Sequence, residues 1–227
     1  MTEISTRGRQ AIATALVAAP LLLLAANVVH PSHGLDAESW LSSAAAGRAR
    51  FYAGHVLFLA ASAALILAML GLVYSLRESR SALSWIGGGL TALGALGLTG
   101  FVSLDFVVWQ MAGLPADRPE MLALLEKVTA SATIFDVFYV LAAGLVAGPA
   151  LVVLALYRAG VVPAWTSVLI ATGLAVALGA VTIQPMAIAG SLAALVGLAS
   201  VARSLLRIGD SSSGTMSPSA RLRVEAR

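Results

Sequence analysis

No cysteine occurs in the 227 residues. Disulfides, thiolate metal sites, iron–sulfur clusters and cysteine nucleophiles are therefore excluded. Lysine occurs once, as Lys127, outside every apolar run, so a retinal-type Schiff base to a membrane lysine has no candidate. Charge of either sign is scarce: Asp, Glu, Lys and Arg make up 11% of the chain, against about 25% in a soluble domain. That is too little to clothe a water-facing surface. With 59% hydrophobic residues and a mean hydropathy of +0.91, the composition is that of a polytopic membrane protein. The formal charge of +3 does not point to nucleic acid, because the basic residues flank apolar runs and form no basic face.

A membrane-crossing helix needs about 20 apolar residues, and six runs qualify: about 10–30, 52–75, 84–108, 131–157, 163–183 and 186–207. The first, behind Arg7 and Arg9, has the outline of a signal peptide, but its long apolar core with Pro20 in the middle favours a retained helix. With the N-terminus inside, the inner segments hold Arg7, Arg9, Arg77, Arg80, Arg158, Arg203, Arg207, Arg221, Arg223 and Arg227. The outer ones hold Arg48, Arg50, Arg118 and Lys127. This excess of inner charge orients the bundle. The expectation is an all-α, polytopic helical bundle of about six transmembrane helices in a bacterial plasma membrane, both termini cytoplasmic. Residues 1–208 form one transmembrane domain, and 209–227, rich in Ser and ending in charges, form a disordered cytoplasmic tail. Two outer segments are long, 31–51 and 113–130; the second includes a possible short interfacial helix at 121–125.

Small residues crowd the third run (Gly87, Gly88, Gly89, Gly94, Gly97, Gly100), and Gly144-x-x-x-Gly148 precedes Pro149 in the fourth. In lipid, where association rests on van der Waals contact, such residues mark close helix packing. No internal repeat is visible, so an inverted-repeat transporter has no support.

Ionisable residues at membrane depth are costly, and each needs an account. His55 lies one turn into the second run, Asp105 near the outer end of the third, and Asp136 one turn into the fourth; Gln184 ends the fifth, and Asn27 and His30 end the first. On the derived topology all six fall in the outer third of the bilayer. Nine of the fourteen aromatic residues share that level: Phe51, Tyr52, Phe58, Phe101, Phe106, Trp109, Phe135, Phe138 and Tyr139. Plainer readings exist for each. Asp136 is near enough to Ser131 and Thr133 to sit at a helix start. His55 suits an interfacial histidine bonded to a backbone carbonyl. Gln184 beside Pro185 suits a turn, and His30 and His33, flanking Pro31, suit a solvated loop.

A carboxyl in an apolar cavity resists ionisation and can serve as a proton donor. Two neighbouring carboxyls divide into acid and base, and aromatic faces stabilise a nearby cation by about 0.5–2 kcal/mol each. An acid with an aromatic wall is what protonation-driven cyclisation of an alkene or epoxide requires. Asp105, Asp136 and His55 are the candidate catalytic residues. Phe58, Phe101, Phe106, Trp109, Phe135, Phe138, Tyr139 and Gln184 are the candidate substrate-binding residues, with a lipophilic small molecule and membrane lipid as partners. No metal or cofactor is expected.

In size, helical organisation, Ala/Leu/Gly/Arg-rich composition and membrane acids with aromatics, the whole chain resembles the small integral-membrane terpene cyclases of actinobacterial natural-product pathways. The resemblance implies an isomerase-type, proton-initiated cyclisation of a prenyl group without release of diphosphate. No DDxxD-type cluster or DxDD motif is present. Its implied inner-leaflet substrate sits awkwardly with an outward-facing site. The alternatives are a proton-coupled transporter or sensor, with His55, Asp105 and Asp136 as a relay; a haem protein, with His55 and His30 or His33 as axial ligands; and a non-catalytic accessory subunit.

Overall fold

In the computed structural model, residues 5–34, 36–77, 81–114, 118–180 and 182–213 are described, apart from the side chains of 132–135 and 208–213. The described chain is helical, without strands. Its elements are α1 (Thr6–Val29), α2 (Ala37–Ala46), α3 (Arg48–Ser75), α4 (Ala82–Met111), α5 (Arg118–Thr129), α6 (Ala132–Ala142), α7 (Gly144–Arg158), α8 (Ala164–Gly179) and α9 (Gln184–Ser213).

Five stretches are long and apolar enough to cross a membrane: Thr6–Val29, Arg48–Ser75, Ala82–Met111, Asp136–Arg158 and Gln184–Arg207. The expected sixth crossing is shorter. α8 ends at Gly179 rather than 183, and its 16 residues rise only about 24 Å. A new helix starts at Gln184, with Pro185 in its first turn, where the missing N–H costs nothing. A single turn at Ala143 divides the fourth span into α6 and α7, while Pro149 lies inside α7. The segment 31–51, expected as a loop, contains the ten-residue helix α2, started by Asp36 accepting from the Ser39 backbone N–H at 2.8 Å. The interfacial helix expected at 121–125 is α5, longer at both ends. α9 continues to Ser213, past the point where the sequence suggested a disordered tail; the rest of that tail lies outside the described residues.

The five spanning stretches and α8 close into a ring, α1 against α3, α3 against α4, α4 against α7, α7 against α8, α8 against α9 and α9 against α1. Glycine sets how closely they approach. A Cβ at Gly94 would strike the Gly144–Leu145 backbone, one at Gly144 the Leu90 carbonyl, and one at Gly148 the Thr91 and Gly87 backbone. Gly173 and Gly190 stand in the same relation between α8 and α9. Three buried hydroxyls donate within their own helices: Thr91, Ser62 and Ser191 donate to the Gly87, Phe58 and Ala187 carbonyls at 2.8–3.0 Å. Apolar surroundings offer them no better acceptor.

This packing predicts a contrast between two helical glycines. Gly144→Ala will lower thermal stability in detergent, by about 1–3 kcal/mol as for other overpacked positions. Gly89→Ala, with nothing within 4 Å of its Cβ, will not. Thermal unfolding of the two purified variants checks this; equal melting would remove the close-approach account.

Candidate functional site

The polar residues gather at one end of the ring, under α2. Asn27, buried in the last turn of α1, donates to Ser191 Oγ at 3.0 Å and to the Ala177 carbonyl at 3.4 Å, joining α1, α8 and α9. Gln184 Nε2 donates to the carbonyls of Asn27 and Val28 at 3.1 Å and of His30 at 3.4 Å. Arg50 Nε donates to the Val29 carbonyl at 3.1 Å. The last turn of a helix leaves carbonyls without intrahelical partners, and these two side chains supply them. Gln184, expected to bind substrate, thus fastens α9 to the end of α1.

The centre of this end is a pair. His55 Nε2 lies 2.9 Å from Asp105 Oδ2, with side-chain exposures of 5% and 13%. His55 Nδ1 lies 2.7 Å from the Phe51 carbonyl. A carbonyl only accepts, so Nδ1 carries a hydrogen and the tautomer follows. The plainer reading of His55 is therefore true as far as it goes: the backbone bond is present, and its effect is to aim Nε2 at Asp105. The other carboxylate oxygen, Oδ1, accepts from Trp40 Nε1–H of α2 at 2.8 Å. With every other position filled, Nε2 and Oδ2 share one proton. It rests on histidine as an ion pair or on aspartate as a neutral pair, and the sum of charge is zero either way.

Aromatic rings enclose the pair. Phe51 lies 4.4 Å from the His55 ring, Phe58 at 6.1 Å and Phe106 at 6.2 Å, between centroids. Tyr52 bridges Phe106 and Trp109 at 5.5 and 5.2 Å. Trp109 donates to the Arg48 carbonyl at 3.0 Å and lies under the Arg48 guanidinium. Phe101, Phe138 and Tyr139 form a second group between α4 and α6, with Phe101 at 5.6 Å from Phe138 and 4.7 Å from Tyr139. The Phe135 side chain lies outside the described residues.

Three expectations need correction. Asp136 is exposed on α6, and no hydrogen bond or ion pair links it to Asp105 among the described residues; depth along a helix does not fix the face. His30 is not a solvated loop residue. It is 7% exposed, its ring edge-on to His55 at 4.6 Å, in space opened by Gly54, whose added Cβ would meet His30 Cβ at 2.9 Å. His33 is half-buried and stacks on Trp40 at 6.1 Å. Trp40 itself escaped the sequence reading. Its available signal was an aromatic among Ala and Leu behind an Asp36 cap.

Burial, then repulsion from His55 and His33, hold the His30 ring at about 3, well below the usual histidine range. Both His55 nitrogens are engaged, so haem ligation there would require breaking the Phe51 or Asp105 contact. No cluster of three or more His, Cys, Asp or Glu side chains suited to a metal ion occurs among the described residues.

Toward mid-bundle, Pro20, Ser62, Leu98, Leu145, Leu174 and Leu198, one from each ring helix, line a cavity of about 20 Å³, the space of one water. Phe58 is its aromatic member. No family model, curated protein or solved structure matches this chain.

Removing one member of a buried pair leaves the other uncompensated, at a cost of about 3–5 kcal/mol, whereas replacing both by apolar groups is often nearly neutral. His55→Phe and Asp105→Leu singly are each expected to destabilise by that order, and the double variant by less than either. A thermal-denaturation double-mutant cycle measures the coupling; additive losses would mean that the pair is not the unit described.

Proposed function

We infer that this protein handles protons within the membrane, as a proton-coupled transporter or sensor whose working group is the His55–Asp105 pair. One observation carries the reading: the buried His55 and the partly buried Asp105 meet at 2.9 Å, with His55 Nδ1 on the Phe51 carbonyl and Asp105 Oδ1 on the Trp40 indole, so that one proton between them is the free variable. Such a pair can pass its shared proton from one side chain to the other without placing uncompensated charge in the apolar interior, and a change in its proton count is felt as a charge by the contacts around it. Trp40 on α2 joins that occupancy to the cap of the bundle: an ionised Oδ1 accepts from the indole more strongly than a neutral one. The small aliphatic cavity favours this reading over turnover of a bulky substrate. The excess of arginine in the segments read as inner supports an outward position for the pair.

Infrared difference spectra between pH 8 and pH 5, on protein in lipid nanodiscs, test the reading. We expect a carboxylic-acid band that disappears in Asp105→Asn. Spectra that are the same in wild type and Asp105→Asn would overturn it.

A second reading, proton-initiated cyclisation of a prenyl substrate, is favoured by the rings around the acid, Phe51, Phe58 and Phe106 on His55 itself. It requires the bundle to open beyond the present cavity. Membranes incubated with farnesyl or prenylated-indole substrates would then yield a cyclic product of unchanged mass. Asp105→Asn would abolish that product, and the exposed Asp136→Asn would retain it. Absence of any isomer from wild-type membranes, or full turnover by Asp105→Asn, would end this reading.

A further inference from the structure

All three histidines of the chain lie together at this end of the bundle. His33 is half-buried and reaches toward solvent; its ring centroid is 5.6 Å from His30, which is 4.6 Å from His55. His30 Nε2 is buried and has no hydrogen-bond partner. A buried polar atom left unpaired costs about 1–3 kcal/mol. A phenylalanine would occupy the same aromatic pocket, against Phe51 and Phe58, without that cost. The Pro31 carbonyl faces the ring as an acceptor, so the ring's hydrogen belongs on Nδ1 and Nε2 is a bare basic lone pair.

We propose that His30 is the proton port of the His55–Asp105 pair, taking a proton on its bare Nε2 from the His33 side and handing it to the pair. The proposal rests on the proton-handling reading above. On loading, water gives a proton to His33, His33 to His30 Nε2, and His30 to the His55–Asp105 bridge, where the pair gains one positive charge. Unloading reverses each transfer, and no other bond is made or broken. The His55–Asp105 contact must loosen for the last transfer, since both His55 nitrogens are otherwise engaged. The charged or titratable groups around His30 are His33 in the same linker, His55 and Arg50 on α3, and, through His55, Asp105 on α4. Two of these are further histidines and one is an arginine. A proton on His30 is therefore short-lived, as suits a port and not a store.

Three histidines make the test clean, since ¹⁵N-histidine labelling reports these rings and no others. In nanodiscs at pH 7 the wild-type spectrum should contain one neutral ring with a bare, non-bonded Nε2, lost in His30→Gln. A doubly protonated His30 would overturn the proposal. After a rapid pH jump, the Asp105 infrared band should appear at least tenfold more slowly in His30→Gln and His30→Ala than in wild type, with its final amplitude kept. Imidazole should restore the rate in His30→Ala, which a merely structural role would not allow. An unchanged rate with the band present overturns the port alone. A wild-type protein without the band overturns the reading beneath it, and the port with it.

Discussion

A carboxylate inside an apolar bundle is tolerable only when both of its oxygens have donors. Asp105 meets that demand with two donors from different elements, His55 on α3 and Trp40 on α2. The consequence reaches beyond the site. α4 must present Asp105 toward α3, which orients two members of the ring. α2, a ten-residue helix too short to hold itself in place, is held across the end of the bundle by the Trp40 indole N–H on Asp105, by the Glu38–Arg118 ion pair to α5 and by Leu41 and Ala44 packed with Phe51 and Val108. His55 in turn is aimed by the Phe51 carbonyl one turn earlier in its own helix. Remove the acid, and the indole and the imidazole both lose a partner in a region with few substitutes.

The rest of the bundle follows a different logic. Glycine faces bring α4 onto α7 and α8 onto α9 at backbone contact, where dispersion between many atoms replaces the hydrophobic drive that lipid cannot supply. Most hydroxyls there bond within their own helices, Ser167 of α8 being an exception that donates to the Ala150 carbonyl of α7. Polar bonds between helices concentrate at the site end, where Asn27, Gln184 and Arg50 tie α1, α3, α8 and α9 together. The aliphatic middle gives the frame and the polar end gives it register.

The spans were legible because lipid imposes a length and an apolar composition that no soluble segment needs to meet. Asp105 and His55 were legible for the same reason inverted, since an ionisable group at that depth demands a partner. What depth did not provide was azimuth. Asp105 and Asp136 read as neighbours because both lie near the same end of their helices, yet one turns inward and the other is exposed. His30 misled through its neighbour: Pro31 ends α1 and suggests a loop, but Gly54 leaves room for the ring to fold back against α3. α2 was hidden because seven of its ten residues are Ala or Ser and carry little periodic signal, and its hydrogen bond to the site comes from a residue 65 positions away.

The charge arithmetic of the site limits what it can be for. A lone buried carboxylate would be neutralised by holding its own proton, and a lone histidine by releasing one. Side by side they remain neutral as a pair whichever atom holds the shared proton, so the site can stay ready at membrane depth without a standing electrostatic penalty. Taking one further proton makes the pair a cation, and giving one up makes it an anion; both are costly in that setting and so both press on the contacts around it. The contact most open to that pressure is the indole of Trp40, because among the described residues it is the hydrogen bond that joins the pair to an element outside the ring. On the proton-handling reading proposed above, a change in proton count would act on α2 through that indole.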